Sequence, residues 1–108
     1  MLVLATTGRR SGRTRKTPVT YLRYGDGWLI GGGAGGQKAT PDWVLNLRAS
    51  PRASVTIDRV VHDVVVAEPI GADRERAFDT LVARWPSIRR YEEWGGRSLP
   101  LFVLRPMN

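Results

Sequence analysis

Five cations, Arg9, Arg10, Arg13, Arg15 and Lys16, fall within eight consecutive residues, and no acid precedes Asp26. Positive charge at that density repels itself until an anion neutralises it. Four of the five are arginine, whose planar guanidinium meets phosphate or carboxylate through two parallel hydrogen bonds. Gly8, Ser11 and Gly12 punctuate the run, so the backbone can turn tightly and bring N–H groups to a ligand. The pattern predicts an anion-binding loop; a solvated basic hairpin is the other reading of the same residues. A second candidate is Gly31-Gly32-Gly33-Ala34-Gly35-Gly36, which contains the text of the dinucleotide fingerprint G-x-G-x-x-G. Its context does not fit, because no helix begins within the glycines. The strip is either a flexible loop or bare backbone against which a flat ring can lie. Trp43 and Asn46, three residues apart, share a helix edge in a third candidate. Trp there suits a core as well as a ligand, whereas an amide on an apolar edge needs hydrogen-bonding partners.

The elements that must position these groups can be read from periodicity. Leu2 to Ala5 and Val19 to Tyr24 flank the basic loop as strands, with Pro18 where a strand start tolerates proline. Gly25-Asp26-Gly27 turns the chain into a returning strand, Trp28 to Ile30, which predicts a three-stranded meander. Thr40-Pro41-Asp42 reads as a helix start with Thr40 as N-cap, and the helix ends before Pro51. Ala53 to Ile57 and Val60 to Ala67 form a hairpin turning at Asp58-Arg59, its second arm apolar on both faces from Val64. His62, beside that turn, reads as a surface residue. Phe78, Leu81, Val82 and Trp85 recur at helical spacing over Ala72 to Trp85. Ser87 to Trp94 reads as a short further helix, and Leu101 to Leu104 as a last strand. About six short, mostly antiparallel strands with two or three short helices predict a mainly β, α+β compact barrel.

The 108 residues suit a single domain, 1–108. Hydrophobic content of 42% is ordinary, but the net charge of +7 is not, and all ten acids lie between Asp26 and Glu93. An anionic partner follows: a nucleic acid, an acidic lipid surface or an acidic cofactor. The absence of cysteine excludes disulfides, thiolate metal sites and a cysteine nucleophile. With His62 the one histidine, no metal site is expected. No apolar run approaches the roughly 20 residues of a membrane-spanning helix. No signal peptide opens the chain, and a cytoplasmic location is expected.

Taken in order, the motifs resemble the deazaflavin-dependent (coenzyme F420) nitroreductase family. Thr6-Thr7-Gly8-Arg9-Arg10-Ser11-Gly12, followed by Arg15, Thr17-Pro18 and Tyr21, carries the likeness at the N-terminal end. Pro41 to Arg52 is similar to that family's P-x-W-x-x-N-L-x-x-x-P-R block, and Tyr91 with Ser98 to Leu104 to its closing segment. The resemblance implies a split β-barrel, coenzyme F420 as cofactor, and reduction of quinones, nitro compounds or similar activated acceptors. F420 is an 8-hydroxy-5-deazaflavin with a phosphate and an oligoglutamate tail. By this likeness Arg9, Arg10 and Arg15 hold the tail, and Thr17, Pro18, Trp43 and Asn46 border the cofactor. The backbone of Gly32, Gly33, Ala34 and Gly36 faces the ring, and Tyr91 is the candidate catalytic hydrogen-bond or proton donor. The implied partner is a small-molecule electron acceptor and not a nucleic acid, with peripheral membrane contact if the acceptor is a lipid quinone. The protein would act as a monomer or homodimer. Gly33 and Ala34 stand where the family commonly has Ser followed by Lys or Asn, and Thr20 where it often has a second tyrosine. The family's usual N-terminal helix is not expected before the strand at Leu2. Two rival readings are a basic nucleic-acid-binding domain, stacking bases on Tyr21, Tyr24 and Trp28, and a split barrel that binds FMN.

Overall fold

Leu2, Leu4 and Thr6 are buried while Val3 and Thr7 are exposed, the two-residue period of a strand with one wet face. In the computed structural model, which describes residues 1–32, 40–90 and 98–107, that strand is the first of seven. The order is β1 (Leu2–Thr7), β2 (Thr14–Val19), β3 (Tyr21–Tyr24), β4 (Gly27–Gly31), α1 (Asp42–Ala49), β5 (Arg52–Ile57), β6 (Val60–Ala67), α2 (Gly71–Arg84) and β7 (Leu101–Pro106). Residues 88–90 are also helical. The strands form one sheet in the order β2-β1-β5-β6-β7-β4-β3, with every pair antiparallel.

β2 and β3 are separated by Thr20 alone, yet they stand at opposite edges of this sheet. The sheet must therefore curl until its two edges meet near Thr20. The result is the expected mainly β architecture, a split β-barrel. Its inside is filled by Leu2, Leu4, Val19, Trp28, Ile30, Val55, Val64, Val66, Phe102 and Leu104, with Trp43, Val44 and Leu47 of α1 in the same cluster. Trp43 packs its ring on Phe102 with centroids 5.9 Å apart. α2 covers the outside of β4 and β7, where Ala77, Phe78 and Leu81 meet Leu29, Leu101 and Val103. Each Leu, Ile, Val or Phe among these, fully buried, stabilises the fold by about 1.5–3 kcal/mol relative to exposure.

Four details differ from the sequence reading. First, the meander expected over 2–30 is not one. Thr14–Val19 pairs with β1, and the chain then breaks at Thr20 so that β3 and β4 form a separate pair. The strand count rises from about six to seven because Thr14 to Lys16, read as loop, continue a ladder that runs from Leu2↔Val19 to Thr7↔Thr14. Second, Pro41 and not Thr40 occupies the N-cap position of α1, with φ −59° and ψ 147°, and no side-chain cap bond is made. Third, Val65 is 47% exposed and only Val64 and Val66 turn inward, so the outer face of β6 is wet despite its apolar residues. Fourth, His62 is half-buried. It pairs with the inward-facing Val55 and its ring lies 5.0 Å from that of Trp28. The β5–β6 turn at Asp58-Arg59 is as expected, both residues having positive φ (50° and 68°), as a two-residue hairpin demands. The predicted helix over 87–94 falls partly outside the described residues.

Candidate functional site

The basic run is held as a hairpin loop between β1 and β2. Gly8 donates its N–H to Arg13 O at 2.7 Å, and Gly12 donates to Gly8 O at 2.8 Å. Ser11 Oγ accepts from Arg13 N at 3.2 Å. Gly12 sits at φ +70°, a conformation that favours glycine. At Gly8 a Cβ would lie 2.7 Å from Ser11 Oγ and 3.1 Å from Arg13 O, so the turn closes only around a bare backbone.

α1 lies against this loop. Asn46, 3% exposed, faces β1 and the loop together. Its Oδ1 accepts from Arg9 N at 3.2 Å and from Arg9 Nη1 at 3.0 Å, and its Nδ2 donates to Thr6 Oγ1 at 3.3 Å. Arg9 Nη2 also lies 3.5 Å from Asp42 Oδ1. At the other end of α1, Glu68 takes two bonds from Arg48, at 3.0 and 2.7 Å, and this hydrogen bonding holds the Arg48 guanidinium above its ordinary pKa.

Between loop, β2 and α1 runs a groove of about 630 Å³, lined by residues 8–11, 14–17, 42, 43 and 46. That volume is in the range of small-molecule sites. Arg9, Arg10, Arg15 and Lys16 contribute four positive charges to it against the single acid Asp42. Among the described residues no acid lies within ion-pair distance of Arg10, Arg13, Arg15 or Lys16, although five ion pairs form elsewhere or through Arg9. A lining of unpaired guanidinium and ammonium groups suits an elongated polyanion.

Of the residues expected at the site, Arg9, Arg10, Arg15, Thr17, Trp43 and Asn46 come together on this groove. Thr17 is half-buried, sharing the inward row of β2 with buried Val19. Trp43, 8% exposed, belongs both to the core and to the groove wall. Pro18 lies on the opposite, exposed face of β2 and does not line the groove. Gly32 does not line it either. Its N–H donates to Pro100 O at 2.8 Å, and a Cβ there would meet Val44 Cγ2 at 2.9 Å. Gly33, Ala34, Gly36 and Tyr91 lie outside the described residues. Lys16 and Asp42 are groove residues that the sequence reading did not assign to the site. Lys16 stood in the basic run and was within reach of that reading; Asp42 was absorbed by its helix-start role.

The aromatic residues that a nucleic-acid reading would need are not a surface platform. Trp28 is 5% exposed inside the barrel, and Tyr21 and Tyr24 are half-buried against the two cores. Among the described residues no group of three or more metal-ligating side chains is assembled, and no helix is long and apolar enough to cross a membrane.

Comparison with known proteins accords with this geometry. Residues 1–106 match the family model of the F420H(2)-dependent quinone reductases. An F420H(2)-dependent quinone reductase of Mycobacterium tuberculosis strain H37Rv is 39% identical over 108 residues, spanning 95% of this chain and 71% of that protein. Among solved structures, an F420-H2 dependent reductase (FDR-A) superposes with TM-score 0.85 at 27% identity, covering 96% of this chain and 92% of the other. A structure described as a domain-swapped dimer superposes with TM-score 0.86, also at 27% identity, over 96% of this chain and 78% of its own. The chain therefore belongs to the F420H(2)-dependent quinone reductase family and is an oxidoreductase whose cofactor is coenzyme F420.

Proposed function

We propose that this protein, acting as one cofactor-binding domain over residues 1–108, transfers a hydride from reduced F420 to a quinone, a nitro compound or a similarly activated small acceptor. The observation that carries the reading is the groove itself: unpaired cations from three neighbouring positions, Arg10, Arg15 and Lys16, converge on one cleft. A phosphate followed by several carboxylates presents the complementary row of charges. Arg15 and Arg10 bind it through charge-assisted hydrogen bonds, and Lys16 adds a mobile point charge. Thr17 and Trp43, at the inward side of the groove, then set the boundary between the polar tail and the barrel wall. The bound reduced deazaflavin supplies the hydride. The protein's part is alignment, exclusion of water and a hydrogen bond or proton for the oxygen that gains charge on the acceptor. Tyr91 is the side chain assigned that last role, on the family likeness alone.

The test is direct. Purified protein is mixed with reduced F420 and, separately, with a quinone, a nitroaromatic and an activated enone, and the loss of the reduced deazaflavin is followed. Saturable, protein-dependent oxidation by the quinone is expected. If the protein binds F420 but oxidises it with none of the three acceptors, the proposed reaction is wrong. For Tyr91→Phe we expect a fall of about 10²-fold or more in turnover, the lower range for loss of a positioned proton donor, with F420 affinity retained. Unchanged turnover removes Tyr91 from the mechanism.

A further inference from the structure

Arg10, Arg13, Arg15 and Lys16 have no ion-pair partner among the described residues, and a hydroxyl lies in their midst. Ser11 stands exposed at the tip of the loop and lines the groove beside Arg10, Arg15 and Lys16. Its Oγ already faces a donor, accepting from Arg13 N at 3.2 Å. From the point where a Cβ on Gly8 would sit, Ser11 Oγ is 2.7 Å away and Arg15 Cγ 3.7 Å away. The hydroxyl and the stem of Arg15 are therefore neighbours, close enough for the guanidinium to meet a group carried on that oxygen.

The other hydroxyls of this hairpin are held differently. Thr6 is 3% exposed. Thr7 and Thr14 face each other in the β1–β2 ladder, and Thr17 pairs with Leu4 in the same ladder. An enzyme reaching any of these would have to open the strand pair. Among the described residues 6–17, Ser11 is the hydroxyl side chain that lies outside both strands. Arg9 and Arg10 precede it and Arg13 follows, a flank complementary to an acidic protein cleft.

We propose that Ser11 is a phosphorylation site, and that its phosphate folds into the groove as a tethered competitor of the cofactor's anionic tail. The group comes from a nucleoside triphosphate through a serine kinase. Ser11 Oγ bonds to the γ-phosphorus as that phosphorus parts from the β–γ bridging oxygen. The nucleoside diphosphate leaves, and the hydroxyl proton passes to the kinase's base. At neutral pH a phosphoserine carries a charge of about −1.5 to −2, and beside clustered arginines it gains charge-assisted hydrogen bonds. Held on the loop, it faces Arg10 and Arg15 at an effective concentration on the order of millimolar, whatever the cofactor concentration. Much of the groove's positive charge is then neutralised before any ligand arrives. This inference rests on the groove being the F420 tail site, and it gives that site a covalent off state.

Wild type and Ser11→Ala are treated with an arginine-directed serine kinase and ATP, and the modified residue is identified by mass spectrometry. F420 and its bare deazaflavin chromophore are titrated into each protein before and after treatment. Wild type should take up phosphate on Ser11 and then bind F420 about tenfold or more weakly, as for loss of a charge-assisted contact. Its affinity for the bare chromophore should stay where it was. In Ser11→Ala the loop should take up no phosphate, and treatment should not move the F420 affinity. The phosphate on wild type is also titrated by phosphorus NMR. Among guanidinium groups its second ionisation should fall well below the ordinary value of about 6, and Arg15→Gln should bring it back toward that value.

Phosphate on other residues and none on Ser11 overturns the site. A phosphate on Ser11 that leaves F420 affinity unchanged, or that titrates at its ordinary value, overturns its place in the groove. Equal loss of F420 and of the bare chromophore would mean a disturbed fold in place of competition for the tail, and overturns it too. Should untreated wild type not bind F420, the assignment of the groove to the cofactor fails instead. The phosphorus titration then still decides whether the phosphate lies among these cations.

Discussion

Arg15 is the cation whose role can be isolated most cleanly. It lies on the inward row of β2 with Thr17 and Val19, lines the groove and has no ion-pair partner among the described residues. Arg15→Ala should weaken F420 binding by about 1–3 kcal/mol, the span for one charge-assisted hydrogen bond. A fluorescence titration reads this, and an unchanged dissociation constant would remove the residue from the site. Charge density and glycine punctuation made Arg9, Arg10 and Arg15 visible in the sequence as a group. The bonds that hold Arg9 were not visible, because they depend on Asn46, which is 37 positions from Arg9 and is brought to it only by folding. What could be read was that the amide of Asn46 needed partners. Pro18 shows the opposite failure. It sits on an exposed position of β2 just past the stretch 14–17 that lines the groove, so closeness in sequence did not make it a groove residue.

The placement of α1 governs the groove at the scale of elements. Val44 reaches from α1 toward Gly32 so closely that a Cβ on Gly32 would lie 2.9 Å from Val44 Cγ2. Gly32→Ala should therefore cost about 1–3 kcal/mol, as overpacking does, by pushing α1 away from β4. The double variant Gly32→Ala/Val44→Ala should be less destabilised than the sum of the single changes. Additive losses in denaturant unfolding would show that the two do not press on each other. Gly32 entered the sequence reading as part of a ring-facing strip; its contacts give it a packing reason for being glycine. β2 was the element hardest to read. Thr14, Arg15 and Lys16 are polar and exposed, as an edge strand can be, so no apolar alternation marks them as a strand. The break at Thr20 leaves no signal either, because Val19 to Tyr24 is β-rich throughout. By contrast, β5 and α2 were legible because their apolar residues recur at the period of one covered face, and β6 was legible from its density of valine.

For the whole molecule, charge and topology act together. The order β2-β1-β5-β6-β7-β4-β3 joins strands distant in sequence; the short antiparallel strands pointed to a barrel, and the resemblance to a known family to its split form. The net charge of +7 was plain from composition, and the fold concentrates four of its cations on one cleft. F420 affinity should accordingly fall steadily as salt rises, since the screening length shrinks from about 10 Å at 0.1 M to about 3 Å at 1 M. Affinity indifferent to salt would separate binding from the basic loop. The most direct measurement compares two ligands, intact F420 and its deazaflavin chromophore without phosphate or glutamates, on wild type and on the triple variant Arg10→Gln/Arg15→Gln/Lys16→Gln. If these cations hold the tail, the variant should lose F420 by about 100-fold or more, as three weakened charge-assisted contacts imply, while the two proteins bind the bare chromophore equally. An equal loss for both ligands, or no loss of F420, would contradict the assignment of this groove to the cofactor's anionic tail.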